Sequence, residues 1–270
     1  AASATIKGQQ AVLPLPAPLS IGDNDLVLHV DRPGAGRDED VEIHVPVAYR
    51  VRADLASLTT RPPSITVRVE AAPGSEVTIG DAKLVLDASG RAAHVIPIED
   101  EASGPSDEQR TVDRTIPFTI TPKGGKPAAG ELTARAAIVP LHLDAPGLVL
   151  YTDKATAPVA GQTRSNATVT LDGQATPVDA QGRFDARLPL AAPGERTIEI
   201  VSAAPPLAPR TVRARVVRVA SLEAAAKELD GKGPLAFADF ASSPAEHAGK
   251  DAVVEGEVVE VRSGGGYSVL

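Results

Sequence analysis

Short apolar stretches that alternate with polar residues recur along most of the chain, separated by Pro, Gly and Asp. Alternation with a period of two places the apolar side chains on one face of a strand, and turn residues at this spacing are typical of antiparallel sandwiches. Long helical periodicity is missing, which disfavours a parallel α/β sheet. We therefore predict an all-β fold. The predicted strands are 26–31, 41–51, 64–70, 76–86, 93–98, 115–121, 131–143, 147–152, 167–171, 184–190, 197–202 and 211–219.

The pattern also repeats internally. The segments VTI at 77–79, DASGR at 87–91 and IPI at 96–98 return 92 residues later as VTL, DAQGR and LPL. Further matches follow at a shorter offset, because the first copy has longer loops. A shared motif order with different loop lengths is typical of tandem homologous domains. We expect one sandwich at 1–145, a second at 146–219, a helical linker at 220–250 and a partial β domain at 251–270.

The DAxGR element has a local physical explanation. Asp87 and Asp179 can accept hydrogen bonds from backbone N–H groups ahead of them in an Asx turn. Gly90 and Gly182 can take the positive φ that closes such a turn. The functional alternative is that either aspartate is a calcium ligand.

One helix is predicted after the second sandwich. In 221–229, Ser221 is placed to be the N-cap, Glu223 lies in the first turn, and the apolar residues recur at helical spacing. A short helical turn is expected at 237–240. Alternation returns at 252–262, and a lone hairpin is marginally stable. We therefore expect 221–270 either to open a third β domain whose remainder lies beyond Leu270 or to dock on the second sandwich.

The second copy resembles the bacterial immunoglobulin-like sandwich modules, through TVTLDG at 168–173, VDAQGRF at 178–184 and GERTIEI at 194–200. This resemblance implies tandem Ig-like antiparallel β-sandwiches of the kind found in exported and surface proteins. The first copy is similar but has Ala92 where the second has Phe184. Residues 249–270 resemble the first hairpin of an OB-type barrel, with GKDAVVEGEVVEV at 249–261 as the cue, although Glu255, Glu257 and Glu260 do not suit a nucleic-acid groove.

Composition excludes several classes. The chain has no Cys, so disulfide frameworks, Cys-type zinc sites and thiol nucleophiles are impossible. Its formal net charge is −8, which disfavours nucleic acid as a partner. No apolar run is long enough to span a membrane. The chain starts with Ala-Ala-Ser and contains no Met, which suggests that a signal segment has been removed. We therefore expect a periplasmic, outer-membrane-associated or extracellular location.

Catalytic and cofactor motifs are missing from the sequence. No nucleophile elbow, HExxH or Walker loop is present, and His29, His44, His94, His142 and His247 show no metal-ligand spacing. With 3% aromatic residues, platforms for stacking sugars are scarce. We predict no enzymatic activity, no cofactor and no metal.

Two surface features remain. The loop at 99–113 is strongly acidic, and Asp100, Glu101, Asp107 and Glu108 are candidate calcium ligands, although the loop lacks the ligand ladder of an EF-hand. A solvated loop is the alternative.

The second feature is a row of arginines on the last strand of the second copy, at Arg210, Arg213, Arg215 and Arg218. Such a row can protect the edge of a sheet, dock a neighbouring domain or bind an anionic cell-surface polymer.

These observations predict a non-catalytic structural spacer or protein-interaction scaffold of the cell envelope, whose partners are other envelope proteins or an anionic polymer. The alternatives are an accessory module that binds polysaccharide or depends on calcium, and an OB-type nucleic-acid binder. The sequence does not determine the oligomeric state.

Overall fold

The computed structural model describes residues 12, 14–15, 17–30, 39–230, 237–247, 262–264 and 267–269. Their regular structure is mainly strand, and the strands pair antiparallel except for β11 with β17, so the predicted all-β class is confirmed. The strands are β1 Gly22–Val30, β2 Glu39–Val47, β3 Tyr49–Asp54, β4 Ser64–Ala71, β5 Glu76–Ile79, β6 Ala82–Leu84, β7 Arg91–Pro97, β8 Arg110–Thr121, β9 Ala128–Ile138, β10 His142–Ala145, β11 Val149–Thr152, β12 Thr156–Gln162, β13 Thr168–Leu171, β14 Gln174–Thr176, β15 Arg183–Pro189, β16 Gly194–Ala203, β17 Arg210–Arg218, β18 Arg262–Gly264 and β19 Tyr267–Val269. The helices are a 3₁₀ turn at Ala56–Thr59, α1 Leu222–Asp230, α2 Phe237–Ser242 and α3 Pro244–His247.

The chain divides into two compact units. Ala1–Ser57, Ile65–Ile96 and Asp113–Arg135 form the first, and Leu58–Ser64, Pro97–Val112 and Ala136–Leu270 form the second. The acidic segment 97–112 therefore belongs to the second unit, although the chain passes through it between strands of the first copy.

The first copy consists of a three-stranded sheet, β3-β4-β7, and a four-stranded sheet, β6-β5-β8-β9. Tyr49 on β3 meets Phe118 on β8 edge to face, with ring centroids 6.1 Å apart, so the two sheets face each other. Alternating strand residues bury their side chains, as in β4, β5 and β8. These are Ile65, Val67, Val69, Val77, Ile79, Ile116 and Ile120.

The second copy pairs a three-stranded sheet, β10-β12-β15, with a five-stranded sheet, β11-β17-β16-β13-β14. Residues from both sheets share one core, which makes this copy a β-sandwich. Its buried members are Leu141, Ala157, Val159, Val169, Phe184, Leu190, Ile198, Ile200, Val212, Ala214 and Val216.

Apart from β11, which has no counterpart among the described strands of the first copy, the two copies share their strand order and their connecting hydrogen bonds. Ala71 N–H donates to the Gly90 carbonyl in the first copy, and Thr163 N–H donates to the Gly182 carbonyl 92 positions later. Likewise, Ile98 N–H donates to the Pro63 carbonyl, and 92 positions later Leu190 N–H donates to the Ala155 carbonyl. The internal repeat seen in the sequence is therefore a repeat of structure.

Several strands differ from the prediction, among them β14, which was not predicted, and β8, which begins at Arg110 instead of 115. The predicted strand 41–51 is split at Ala48 because β2 pairs with β1 while β3 pairs with β4. Turns likewise divide 76–86 and 131–143 into two strands each. The strand β12 was not predicted, since Pro158 and Gly161 weaken the strand pattern. It is nevertheless the central strand of its sheet.

The helix at 221–229 is confirmed as α1, and Ala224 N–H donates to Ser221 Oγ at 3.3 Å. The turn at 237–240 is confirmed within α2. Residues 249–261, which carry the resemblance to an OB barrel, lie outside the described residues. The described part nearby is the antiparallel pair β18 and β19.

Candidate functional site

The two DAxGR hairpins are structural turns. Asp87 Oδ1 accepts from the N–H groups of Ser89 and Arg91 at 2.8 and 2.9 Å, and Asp179 Oδ1 accepts from Gln181 and Arg183 at 2.9 and 2.8 Å. The hydrogen bonds from Ser89 and Arg91 hold the pKa of Asp87 below its usual value. The predicted Asx turns are confirmed.

The glycines of these hairpins have the predicted positive φ, 76° at Gly90 and 81° at Gly182. A Cβ at Gly90 would lie 2.1 Å from the Ala71 carbonyl oxygen, and one at Gly182 would lie 2.0 Å from that of Thr163. Glycine is required here by both the backbone angle and the close approach of the neighbouring strand.

The arginine row lies on β17, which pairs with β11 on one side and β16 on the other. The prediction that these arginines protect a sheet edge is therefore wrong. The short strand β11 covers that edge in parallel register, a pairing that the sequence pattern did not indicate.

Arg210 is buried, with 2% of its surface exposed. Its Nε donates to the Val139 carbonyl at 2.8 Å and its Nη1 to the Gly104 carbonyl at 3.1 Å. Burial lowers the pKa of Arg210, and the charge of Arg110 lowers it further. Arg210 thus anchors the acidic segment inside the second unit and is not available to a partner.

The other three arginines contact their own unit. Arg213 is 56% exposed and approaches Glu99 and Glu199 at 3.7 and 3.5 Å. Arg215 donates to Tyr151 Oη at 2.8 Å and lies over its ring. Arg218 donates to the Leu190 carbonyl at 2.7 Å. Arg213 is therefore the member of the row that presents the most side chain to a partner.

The acidic segment is tied down by strand-like hydrogen bonds. Thr211 N–H donates to Ala102 O and Gly104 N–H to Thr211 O, while Ser106 and Leu141 exchange two bonds. Apart from the half-buried Glu101, the acidic side chains stay exposed, as expected of a solvated loop, while the backbone of 102–106 pairs with β17 and with the residue before β10.

The four calcium candidates are not gathered into one site. Asp107 contacts His142 Nδ1 at 2.5 Å, and the Glu108 backbone carbonyl accepts from Ser106 Oγ at 2.9 Å. Asp100 is exposed and Glu101 half-buried. Within the part of the chain that the structure describes, no three His, Cys, Asp or Glu side chains are grouped to hold a metal ion.

Three histidines contact carboxylates near the surface. His29 lies 2.7 Å from Asp40, His44 lies 2.8 Å from Asp25, and His142 lies between Asp107 and Asp144. The His29–Asp40 and His44–Asp25 pairs join β1 to β2, and the His142–Asp107 pair joins β10 to the acidic segment, whereas Asp144 lies on the same strand as His142.

An open groove of about 550 Å³ lies against the three-stranded sheet of the first copy, and we call it the first groove. Its lining carries three arginines and two carboxylates. The lining residues are Arg52, Arg68, Val69, Glu70, Asp87, Arg91, Ala92 and Ala93.

The second copy has a corresponding groove of about 720 Å³, the second groove. Every residue of the first groove has a counterpart there, 92 positions later, but the charges differ: one arginine faces three carboxylates. The counterparts are Asp144, Ala160, Gly161, Gln162, Asp179, Arg183, Phe184 and Asp185, and Pro177 and Val178 complete the lining.

Comparison with known proteins adds likenesses to solved structures. No protein-family model matches the chain, and no curated protein matches it. Fibronectin(III)-like modules of Clostridium thermocellum CbhA align with 64% of this chain and 96% of theirs, at 13% identity and a TM-score of 0.24. A 1.5-MDa bacterial ice-binding adhesin aligns over 73% and 74%, at 19% identity and a TM-score of 0.25. The Bacteroides ovatus glucan-locus protein SGBP-B, solved with a mixed-linkage heptasaccharide, aligns over 80% and 57%, at 12% identity and a TM-score of 0.19.

The duplicated groove was missed from the sequence, although a signal for it was present. Extending the offset of 92 residues upstream would have paired Arg52 with Asp144 and Arg68 with Ala160. Those positions lie in segments that share no motif, so their equivalence became visible only when β3 and β4 were matched to β10 and β12.

Among the described residues, no helix is both long and apolar enough to cross a membrane.

Proposed function

We propose that this chain is a non-catalytic scaffold of an exported or cell-envelope protein, which positions neighbouring modules and offers its surface to other envelope proteins. The observation that carries the proposal is the duplicated hydrogen-bond framework. In both copies the polar residues of the hairpin hold the turn, and the glycine admits the neighbouring strand. A duplicated sandwich with fixed turns suits a spacing role.

The domain organisation is part of the same proposal. We infer that the second sandwich begins upstream of 146, because β10 and the buried Leu141 belong to its sheet and its core. The helices of 220–250 then form a linker to the β residues near the C-terminus.

Fractionation of native cells tests the location, and cross-linking within them tests the scaffold role. We expect the chain in the envelope or extracellular fraction, cross-linked to a defined envelope protein in constant proportion. Arg213→Glu, which reverses the most exposed arginine of the row, should reduce that cross-link, while Lys154→Glu on a separate exposed loop should not.

Two results would contradict the proposal. One is recovery of the protein in the cytosolic fraction. The other is turnover of glycan or ester substrates that purifies together with the chain and disappears when a single side chain is replaced.

A further inference from the structure

The first groove carries an excess of positive charge on an exposed sheet face. Arg52 and Arg68 are both about half exposed, and Arg91 is 68% exposed. We propose that this groove binds an acidic glycan, through carboxylate or sulfate groups that engage Arg52, Arg68 and Arg91. This site goes beyond the scaffold role and does not depend on it.

Strand register places two of these arginines opposite each other, with one carboxylate diagonal to each of them. Arg52 on β3 lies directly opposite Arg68 on β4. Like charges at opposed positions of an antiparallel pair destabilise the sheet. The second copy has Asp144 and Ala160 at the positions 92 residues later and keeps the same three-stranded sheet, although a register shift at Asp144 places Ala160 opposite Ala145 there. The fold therefore does not require the arginine pair. Binding of an anionic ligand explains why two arginines lie opposite each other here.

The carboxylates that line the first groove already have other donors. Arg50 donates to Glu70 at 2.7 Å, while the guanidinium groups of Arg52 and Arg91 approach Glu70 only to 3.7 and 3.9 Å. These two distances exceed hydrogen-bond length. Asp87 is engaged by the N–H groups of its own turn. Glu70 and Asp87 therefore offset only part of the charge of Arg52 and Arg91, whose side chains remain exposed to solvent.

Arg68 has a carboxylate partner outside the groove lining, since its Nε lies 2.5 Å from Asp54 Oδ2. Hydrogen bonds from the Ala56 backbone and from Arg68 lower the pKa of Asp54. A guanidinium has five N–H donors in a planar fork, so this bond leaves donors of Arg68 for a second anion.

The position of the groove favours a glycan over a peptide. Peptides commonly add to a sheet edge through main-chain hydrogen bonds, or insert an apolar anchor into a pocket. The first groove lies over β4, which is the central strand of its sheet, and its uncharged lining is limited to Val69, Ala92 and Ala93. Guanidinium groups on neighbouring strands match anionic groups repeated along a sugar chain, and they bind such groups bidentately.

The second groove supplies an internal control, because it has the same position and a reversed charge. Replacing Arg52 by Asp and Arg68 by Ala gives the first groove the residues of the second at both positions. The variant removes a like-charge pair together with the partly exposed Arg68–Asp54 ion pair, and surface ion pairs contribute little to stability, so we expect the double variant to fold.

Calorimetric titration of the full chain tests the proposal, with oligogalacturonate and heparin oligosaccharides as carboxylate and sulfate probes. We expect at least one probe to bind, more weakly as the salt concentration rises. The double variant Arg52→Asp, Arg68→Ala should raise the Kd about tenfold or more. Arg187→Ala, an exposed arginine on β15 outside both grooves, should leave the Kd unchanged, and neutral dextran should not bind.

Several outcomes would overturn the assignment. These are absence of binding to both acidic probes at low salt, an unchanged Kd in the double variant, or an equal loss in Arg187→Ala. Tighter binding of a poly-glutamate peptide through the same arginines would assign the groove to an acidic peptide instead. If thermal unfolding showed that the double variant had not folded, the single variant Arg91→Gln would serve, with a smaller rise in Kd expected and an unchanged Kd contradicting the site.

Discussion

At the scale of single residues, Arg210 shows how one buried side chain can join two distant segments. Its guanidinium reaches the carbonyls of Val139 and Gly104 from β17. Buried carbonyls that lose a charged donor keep their desolvation penalty. Arg210 therefore links β17 to Val139, which follows β9, and to Gly104 of the acidic segment, all within the second unit.

We expect Arg210→Ala to lower the free energy of unfolding by about 2–4 kcal/mol, because both carbonyls lose their charged donor and a cavity is left. Urea denaturation followed by circular dichroism measures this. Arg213→Ala, on the same strand but exposed, should change stability by no more than about 0.5 kcal/mol. Equal effects of the two substitutions would show that Arg210 is not an anchor.

Asp87 makes the stability of the first copy depend on pH. Its pKa is lower in the folded chain than in the unfolded chain, so its ionised form stabilises the fold above its unfolded pKa. That contribution disappears as the pH falls through the folded pKa. Asp87→Ala should therefore lower the thermal midpoint at pH 7, and the difference from the wild-type chain should shrink below about pH 4. A difference that stays constant down to pH 2 would contradict an ionised acceptor.

At the scale of elements, each DAxGR hairpin has a glycine that is constrained twice, by its positive φ and by the close approach of a neighbouring carbonyl. A positive φ alone strains an alanine, whereas Gly182 also sits against the Thr163 carbonyl. The turn Asp172-Gly173 isolates the first effect, since Gly173 has a φ of 82° with open space where a Cβ would lie. Two glycines with the same backbone angle therefore differ in what a methyl group would meet.

Gly182→Ala should destabilise the chain by about 2 kcal/mol or more, because the methyl group cannot fit without moving β12. Gly173→Ala should lower stability by about 1 kcal/mol, through backbone strain alone. Thermal unfolding of both variants under identical conditions gives the comparison. Equal losses would mean that the close approach to Thr163 contributes nothing.

At the scale of the whole molecule, the acidic segment belongs to a unit that lies mostly after it in sequence. The amides of Gly104 and Thr211, and the reciprocal pair Ser106 and Leu141, are hydrogen-bonded within the second unit. This arrangement makes 97–112 part of the same cooperative structure as β17, despite its surface charge.

Hydrogen exchange monitored by NMR should show the amides of Gly104, Ser106 and Thr211 protected to a degree similar to that of neighbouring β17 amides. Arg210→Ala should accelerate exchange at Gly104 and Ser106 more than at Ile120 in β8, which lies in the first unit. Exchange of 102–106 at the rate of an exposed loop would contradict the assignment of this segment to the second unit.

Local patterns predicted much of this protein. Alternation indicated the strands, and Asp87 and Gly90 with their counterparts predicted the hairpin turns, because these features depend on residues a few positions apart. The strand β12 escaped prediction since Pro158 breaks the local pattern while pairing with β10 and β15 compensates. The split at Ala48 depends on partner strands that the segment itself does not encode.

The sequence by itself determined the all-β class, the duplication and the turns, since period-two alternation and short-range hydrogen bonding are set by neighbouring residues. Only the tertiary structure decided which charges are buried, which strand is internal and which side chains share a groove. Arg210 and Arg213 look alike in sequence, and their difference arises from backbone carbonyls that lie 71 and 106 residues away from Arg210 along the chain. Long-range pairing brings those groups together, and no local pattern carries that information.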